Sequence, residues 1–246
     1  MNRQMRNALR ALSTVLIVSG TLLIADAAAT VAWQEPLSAL LGRLNQNKAA
    51  GQLRDLEHQG LTPLELKALA ALPDERRRIA FLARSLKRRA KEGQGVGRIE
   101  IPRIGANFVI VKGTSAPDLR KGPGLYPQTP FPGAPGTVAI AGHRTTYLAP
   151  FRHIDRLRHG DRITVEMPYG TFTYRVERTR IVPANALWIL RRGRYDRLVL
   201  SACHPLFSAA QRIVVFARLA SVVPLRAGHA GQGSEGATSP LTPVPS

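Results

Sequence analysis

The sequence predicts a mainly β chain: a closed or nearly closed barrel of about eight short strands with short helices, preceded by an N-terminal transmembrane helix and a helical stalk. Three observations predict it. An apolar run opens the chain. Helical spacing of apolar residues fills the next sixty or so positions. From Gly97 the period of the apolar residues changes from that of a helix to two, the signature of strands.

The opening run extends from Ala11 to Trp33 and follows Arg3, Arg6 and Arg10. A bilayer needs about 20 predominantly apolar residues, and flanking basic residues favour the cytoplasmic side. The expected topology is a single pass, with the N-terminus cytoplasmic and the rest of the chain outside. Trp33 suits the membrane interface. Asp26 is the one acid within the run, toward its outer half, where interfacial water or a partner helix can meet it. Ala25-Asp26-Ala27 also has the small-x-small pattern of a signal cleavage site. Because the apolar pattern continues through Val31 and Trp33, the segment reads as an uncleaved anchor.

Residues 34–95 read as the stalk. Leu37, Leu40, Leu41 and Leu44 fall at helical spacing. Thr62-Pro63-Leu64-Glu65 is a capping box with proline at the first helical position. Asp74 caps a further helix with Ile79, Leu82 and Leu86 on one face, and Lys87, Arg88, Arg89 and Lys91 complement the dipole at its end. Residues 96–222 read as the barrel domain. Its expected strands include Ile99–Ile101, Phe108–Val111, Thr137–Ala141, a hairpin of Arg162–Glu166 with Thr171–Arg178 around Pro168-Tyr169-Gly170, then Arg197–Ala202 and Gln211–Leu219. Short strands joined by irregular segments suit closure into a barrel. Residues 223–246 are rich in Pro, Gly, Ser and Thr and are expected to be disordered, because little apolar surface offsets the entropy of ordering.

The chain of 246 residues carries a formal net charge of +19. Residues 96–222 alone hold 19 basic and 7 acidic side chains, so the expected domain is itself basic. Such a surface attracts polyanions. In an exported chain, anionic lipid headgroups or cell-wall polymers fit better than nucleic acid, although solvated surface arginines explain the same count.

Cys203 is the single cysteine, which excludes a disulfide within the chain. A lone thiol in an exported protein marks either a reactive group or a buried small hydrophobe. It follows an apolar strand, a place both firmly held and reachable. A thiol needs a nearby imidazole or cation to become a nucleophilic thiolate. His143, at the end of another apolar strand, is the better candidate. His204 is adjacent to the cysteine and would point to the opposite side. His153 and His159 lie in polar stretches and read as surface residues. Arg212 begins the strand after the cysteine. It stays protonated, so its chemical use is donation to an oxyanion or a substrate carbonyl.

Three segments, Gly142-His143-Arg144-Thr145-Thr146-Tyr147, Leu200-Ser201-Ala202-Cys203-His204-Pro205 and Gln211-Arg212, in that order, resemble the signature segments of sortases. The first two, with Trp33-Gln34-Glu35-Pro36 beyond the anchor, look most like class E sortases of high-GC Gram-positive bacteria. The resemblance covers about Val96–Leu219. It implies a sortase-like β-barrel and a cysteine transpeptidase. The expected catalytic residues are Cys203 as nucleophile, His143 as acid and base, and Arg212 on the acyl intermediate. The implied substrate is a Leu-Pro/Ala-x-Thr-Gly sorting signal of an exported protein, cut between Thr and Gly. The implied acceptor is an amine of a peptidoglycan precursor, and the implied setting is the cell membrane. No cofactor, metal or nucleic acid is implied, and no clustered carboxylates mark a calcium site. The family usually has Thr before the cysteine, a position that lines the substrate site; here it is Ala202. Tyr126 and Tyr147 lie near the expected cleft, as substrate-groove residues or as ordinary packing aromatics.

Three other readings stand beside this one. An L,D-transpeptidase would place histidine just before its cysteine, where this chain is apolar. A sortase-like thiol hydrolase would share the triad. A membrane-tethered basic module for anionic wall polymers would explain the charge and the anchor without chemistry at Cys203.

Overall fold

A computed structural model describes residues 3–32 and 36–224. The expectations for Trp33, Gln34 and Glu35 and for the tail from residue 225 onward lie outside the described residues. Five helices and eight strands follow in chain order: α1 (Arg3–Ala32), α2 (Pro36–His58), α3 (Pro63–Ala70), α4 (Glu75–Arg89), β1 (Gly95–Ile101), β2 (Ala106–Lys112), α5 (Ala116–Leu119), β3 (Gly124–Leu125), β4 (Thr137–Ala141), β5 (Arg162–Met167), β6 (Gly170–Pro183), β7 (Arg197–His204) and β8 (Gln211–Pro224). The strands close into a barrel in the order β1-β2-β3-β4-β7-β8-β6-β5.

Most neighbours in the barrel are antiparallel. The exceptions are β2 with β3, and β4 with β7. The two-residue β3 has no periodicity to betray it. It exists because Gly124 and Leu125 close the gap between β2 and β4. β7 runs through Cys203 to His204, further than its apolar pattern indicates, because these residues remain paired with Arg212 and Gln211 of β8.

Alternation along the strands separates two cores. Leu198, Leu200, Ala202, Ile213, Val215, Ala217, Val138 and Ile140 point into the barrel with Phe172, Tyr174 and Ile99. Val199, Val214, Phe216 and Ala139 face outward and pack under Val182, Ile189 and Leu190. The segment between β6 and β7 thus covers the outer face of β4, β7 and β8, through the 3-10 turn Leu187–Leu190. Trp188 stacks on Phe216 at 6.2 Å, and the guanidinium of Arg178 lies 4.8 Å from the same ring.

The helices of residues 34–95 lie against this barrel. The capping box of α3 forms as its sequence indicates, between Thr62 and Glu65, and Asp74 caps α4. Glu65 also accepts a hydrogen bond from Ser85 of α4. Burial raises the Glu65 pKa, but the hydrogen bonds from Ser85 and Thr62, with the charge of Arg89, outweigh it and hold the carboxyl below its ordinary value. Ile79, Ala83 and Leu86 of α4 join the barrel core. The leucine spacing that signals α2 is not the face that docks. Ser38, Ala49, Leu53 and Leu56 are buried, while Leu40, Leu41 and Leu44 are exposed. Gln46 ties α2 to β2 by accepting from the Val109 amide and donating to the Val109 carbonyl.

Gly95 of β1 lies directly on the Ala49 carbonyl of α2, leaving no room for a Cβ. Gly95→Ala is therefore expected to cost about 1–3 kcal/mol as an overpacking change. Chemical denaturation of the full chain in detergent measures it. An unchanged midpoint contradicts this packing of α2.

Candidate active site

β7 lies between β4 and β8, and its register with each neighbour sets the site. On one side, Ala141 of β4 pairs with Ser201 of β7, and the Gly142 amide donates to the Ser201 carbonyl at 3.0 Å. Continuing that register by two residues brings His143 level with Cys203. On the other side, Cys203 pairs directly with Arg212. Neighbouring strands are about 4.8 Å apart, so Cys203 and Arg212 stand side by side, and His143 follows the end of β4 on the other side of β7. Alternation also gives them one face. Ala139, Val199 and Val214 point outward, and His143, Cys203 and Arg212 lie an even number of positions along from them. A thiol, an imidazole and a guanidinium thus share the outer rim of the barrel, beside the cover formed by residues 184–196.

Cys203 is partly exposed. The His143 imidazole is half-buried, and its ring lies 5.3 Å from that of Tyr147. Its Nε2 is buried without a hydrogen-bond partner. Burial, and then the charge of Arg120, holds the imidazole below its ordinary pKa. Arg120 itself sits 5.8 Å from the Tyr147 ring. Both effects disfavour the protonated imidazolium at this position. Arg212 donates to the carbonyls of Ala209 and Gln211 at 3.0 and 2.9 Å. Its charge is held at the mouth of the β7–β8 loop, opposite Cys203.

Tyr147, Leu148 and Ala149 all have positive φ, at 49°, 65° and 41°. Non-glycine residues rarely adopt this conformation, and runs of them collect at functional sites. The strained turn ends in the hydrogen bond from the Phe151 amide to the His143 carbonyl at 3.0 Å, which folds the segment back on the histidine.

The sequence-derived substrate residues separate. Tyr147 stands beside His143. Tyr126 packs on the outer cluster with its amide bonded to the Ala139 carbonyl, on the same face as Cys203 but level with Val199, four residues down the strand. Ala202 is turned into the barrel core, opposite Ile213 and away from the face of Cys203, so its side chain does not line the rim. His204 likewise points away from that face. His159 is exposed, and His153 is partly buried beside Arg152 and Arg156. Among the described residues no group of three or more His, Cys, Asp and Glu side chains is placed to hold a metal.

Arg144 is the residue that sequence reasoning passed over, named only as part of a motif. It is 4% exposed and pairs with Asp155 at 3.0 Å. From there it donates to the Cys203 carbonyl at 3.4 Å, meets His204 Nδ1 at 3.3 Å and reaches the Arg152 carbonyl. It ties the end of β4 to the end of β7 from behind the site, where Gly142 permits a close approach to the Phe151 ring. Its position immediately after His143, on the opposite side of the chain, is the only signal the sequence offers.

The described strands form a closed eight-stranded barrel, with Cys203 and Arg212 paired at the end of β7 and His143 just past the end of β4. The sortase-domain family model matches residues 99–220. Sortase D of Bacillus subtilis (strain 168) is 35% identical over 130 residues, which are 51% of this chain and 64% of that protein. Sortase SrtE1 of Streptomyces coelicolor is 30% identical over 154 residues, which are 55% of this chain and 43% of that protein. The matches therefore span less than two thirds of these curated relatives. Among solved structures, sortase E from Streptomyces avermitilis is 30% identical, with a TM-score of 0.51 and coverage of 57% of this chain and 98% of that one. Sortase E1 from Streptomyces coelicolor, crystallised with a tripeptide in the active site, is 27% identical, with a TM-score of 0.52 and coverage of 54% and 91%. The chain belongs to the sortase family, and class E sortases are among its relatives.

Removing the strut behind the site tests its geometry. Arg144→Met strips a donor from the Cys203 carbonyl at a cost of about 1–1.5 kcal/mol, so amide hydrogen exchange at the end of β7 is expected to speed up about tenfold. Asp155→Asn has a smaller effect, because that carboxylate is half-exposed. Equal exchange in the Arg144 variant and the wild type contradicts the strut.

Proposed function

We propose that this chain is a membrane-anchored cysteine transpeptidase that joins sorting-signal-bearing exported proteins to an amine of a cell-wall precursor. The observation that supports the reading is the direct pairing of Cys203 with Arg212 across β7 and β8, with His143 two residues past the end of the neighbouring strand β4. The substrate is a Leu-Pro/Ala-x-Thr-Gly segment. The proton of the Cys203 thiol passes to His143, and the thiolate attacks the threonine carbonyl carbon. Arg212 turns from its loop carbonyls to donate to the oxyanion. The tetrahedral intermediate collapses, the C–N bond to glycine breaks, and His143 returns its proton to the departing amine. A thioester to Cys203 remains. The acceptor amine then attacks, His143 takes its proton, the C–S bond breaks, and the proton restores the thiol. Atoms and charge balance with no cofactor. Tyr147, its ring tilted against that of His143, and Tyr126, further along the same face, line the path of the substrate.

One helix among the described residues is long and apolar enough to cross a membrane, over Leu9–Ala27 of α1. With Arg3 and Arg6 before it and Arg10 at its start, the anchor runs from a cytoplasmic N-terminus to an external catalytic domain. The basic barrel surface then faces the anionic outer envelope.

Cleavage of fluorogenic Leu-Ala-x-Thr-Gly and Leu-Pro-x-Thr-Gly peptides by the full chain, with an amine acceptor present, tests the activity. Wild type is expected to give acceptor-joined product, and Cys203→Ala none. Cleavage with free acid as the sole product points to the hydrolase instead. Arg212→Lys is expected to lower kcat about 10²-fold or more, as loss of an oxyanion donor does. The pH profile tests the imidazole. Since His143 is held below the ordinary value of 6.5, the acid limb of kcat/KM is expected below that pH. Arg120→Ala removes a neighbouring positive charge, so the limb moves up in pH. A limb at or above 6.5 in the wild type contradicts the lowered pKa of His143.

A further inference from the structure

Helix α2 has two opposed faces. Ser38, Ala49, Leu53 and Leu56 are buried against the barrel. Leu40, Leu41 and Leu44 are 56%, 53% and 58% exposed, and helical geometry places them on the opposite side. The exposed leucines are confined to the first turns of the helix. Arg43 and Lys48 flank them and are exposed as well. Three residues, 33–35, separate α2 from the end of α1. Even fully extended, that connection spans no more than about 14 Å. The leucine face is therefore tethered beside the outer end of the helix that the preceding section reads as the membrane anchor.

The docked face meets the active site. A Cβ at Gly42 would lie 3.1 Å from the Tyr147 carbonyl carbon and 2.9 Å from Leu148 Cγ, so the bare glycine lets α2 pack closely on the strained turn that follows His143. Asn45 donates to the carbonyl of Arg120, the residue whose charge acts on His143. One side of α2 thus touches the catalytic turn, and the other presents unpartnered leucines.

We infer that the first half of α2 lies in the outer membrane–water interface, with Leu40, Leu41 and Leu44 in the lipid and the catalytic turn seated on its opposite side. The occupant of the leucine face is the lipid surface rather than a second protein. The tether holds that face near the bilayer, and Arg43 and Lys48 suit anionic headgroups at its border. An α-helix is about 10–12 Å across, so α2 acts as a spacer that holds the His143 turn roughly that far above the lipid. A site at this height reaches an amine acceptor presented at the membrane surface. The inference rests on the anchor reading of α1.

The test places single spin labels in the full chain carrying Cys203→Ala, reconstituted as one chain per nanodisc of phosphatidylcholine and phosphatidylglycerol. Labels go on Leu40→Cys, Leu44→Cys, Leu16→Cys in α1 and Ser221→Cys on β8, across the barrel from α2. Relaxation by oxygen against a water-soluble nickel complex reports depth. The expected order is Leu16 deepest, Leu40 and Leu44 shielded from nickel at intermediate depth, and Ser221 fully aqueous. If Leu40 and Leu44 match Ser221 while Leu16 is buried, the interfacial helix is wrong and the anchor stands. If Leu16 is itself aqueous, the anchor reading fails and takes the inference with it. Shielding that appears only when discs hold two chains assigns the leucine face to a second copy and overturns the inference.

Discussion

The site depends on the register of one strand with its two neighbours. β7 pairs in parallel with β4 and antiparallel with β8, and each pairing fixes a side-chain position to the residue. A slip of one residue in either ladder turns a side chain to the other face. Cys203 would then stand alone, with His143 or Arg212 sent into the barrel. The register is in turn held by what lies on either face of β7. Leu198, Leu200 and Ala202 are committed to the inner core, and Val199 to the outer one. Arg144 clamps the strand ends where these cores give out. The chemistry is thus specified by apolar packing several residues away from it.

Much of this was legible in the sequence, for identifiable reasons. The capping box of α3, the Asp74 cap of α4, the hairpin at 168–170 and the apolar strands carry local signals, and they form where those signals lie. Cys203 and His143 stood out because each follows an apolar strand, and Arg212 through the resemblance of its segment to sortases. What was not legible depends on distant residues. Gly124 and Leu125 form a strand only because β2 and β4 flank them. Ala202 was read as a substrate contact from its position before the cysteine, yet alternation sends it inward. Arg144 was named only within a motif, because its partner Asp155 and the Cys203 carbonyl meet it only in the fold. Leucine spacing in α2 identified a helix but not which side docks, since the docking side uses Ser38, Gly42 and Ala49.

Electrostatics and burial at the site act in the same direction. A half-buried imidazole near Arg120 disfavours its own positive charge. The basicity of the chain acts locally through Arg120, whose charge lowers the His143 pKa.

Intact-protein mass spectrometry of the full chain incubated with a Leu-Pro-x-Thr-Gly peptide, without acceptor amine, tests the central claim most directly. The account predicts an adduct of the peptide's acyl portion, ending in threonine, on Cys203. Hydroxylamine releases that adduct, and it is absent from Cys203→Ala. A chain that releases the glycine fragment while Cys203 remains unmodified, or an adduct that persists in Cys203→Ala, contradicts it.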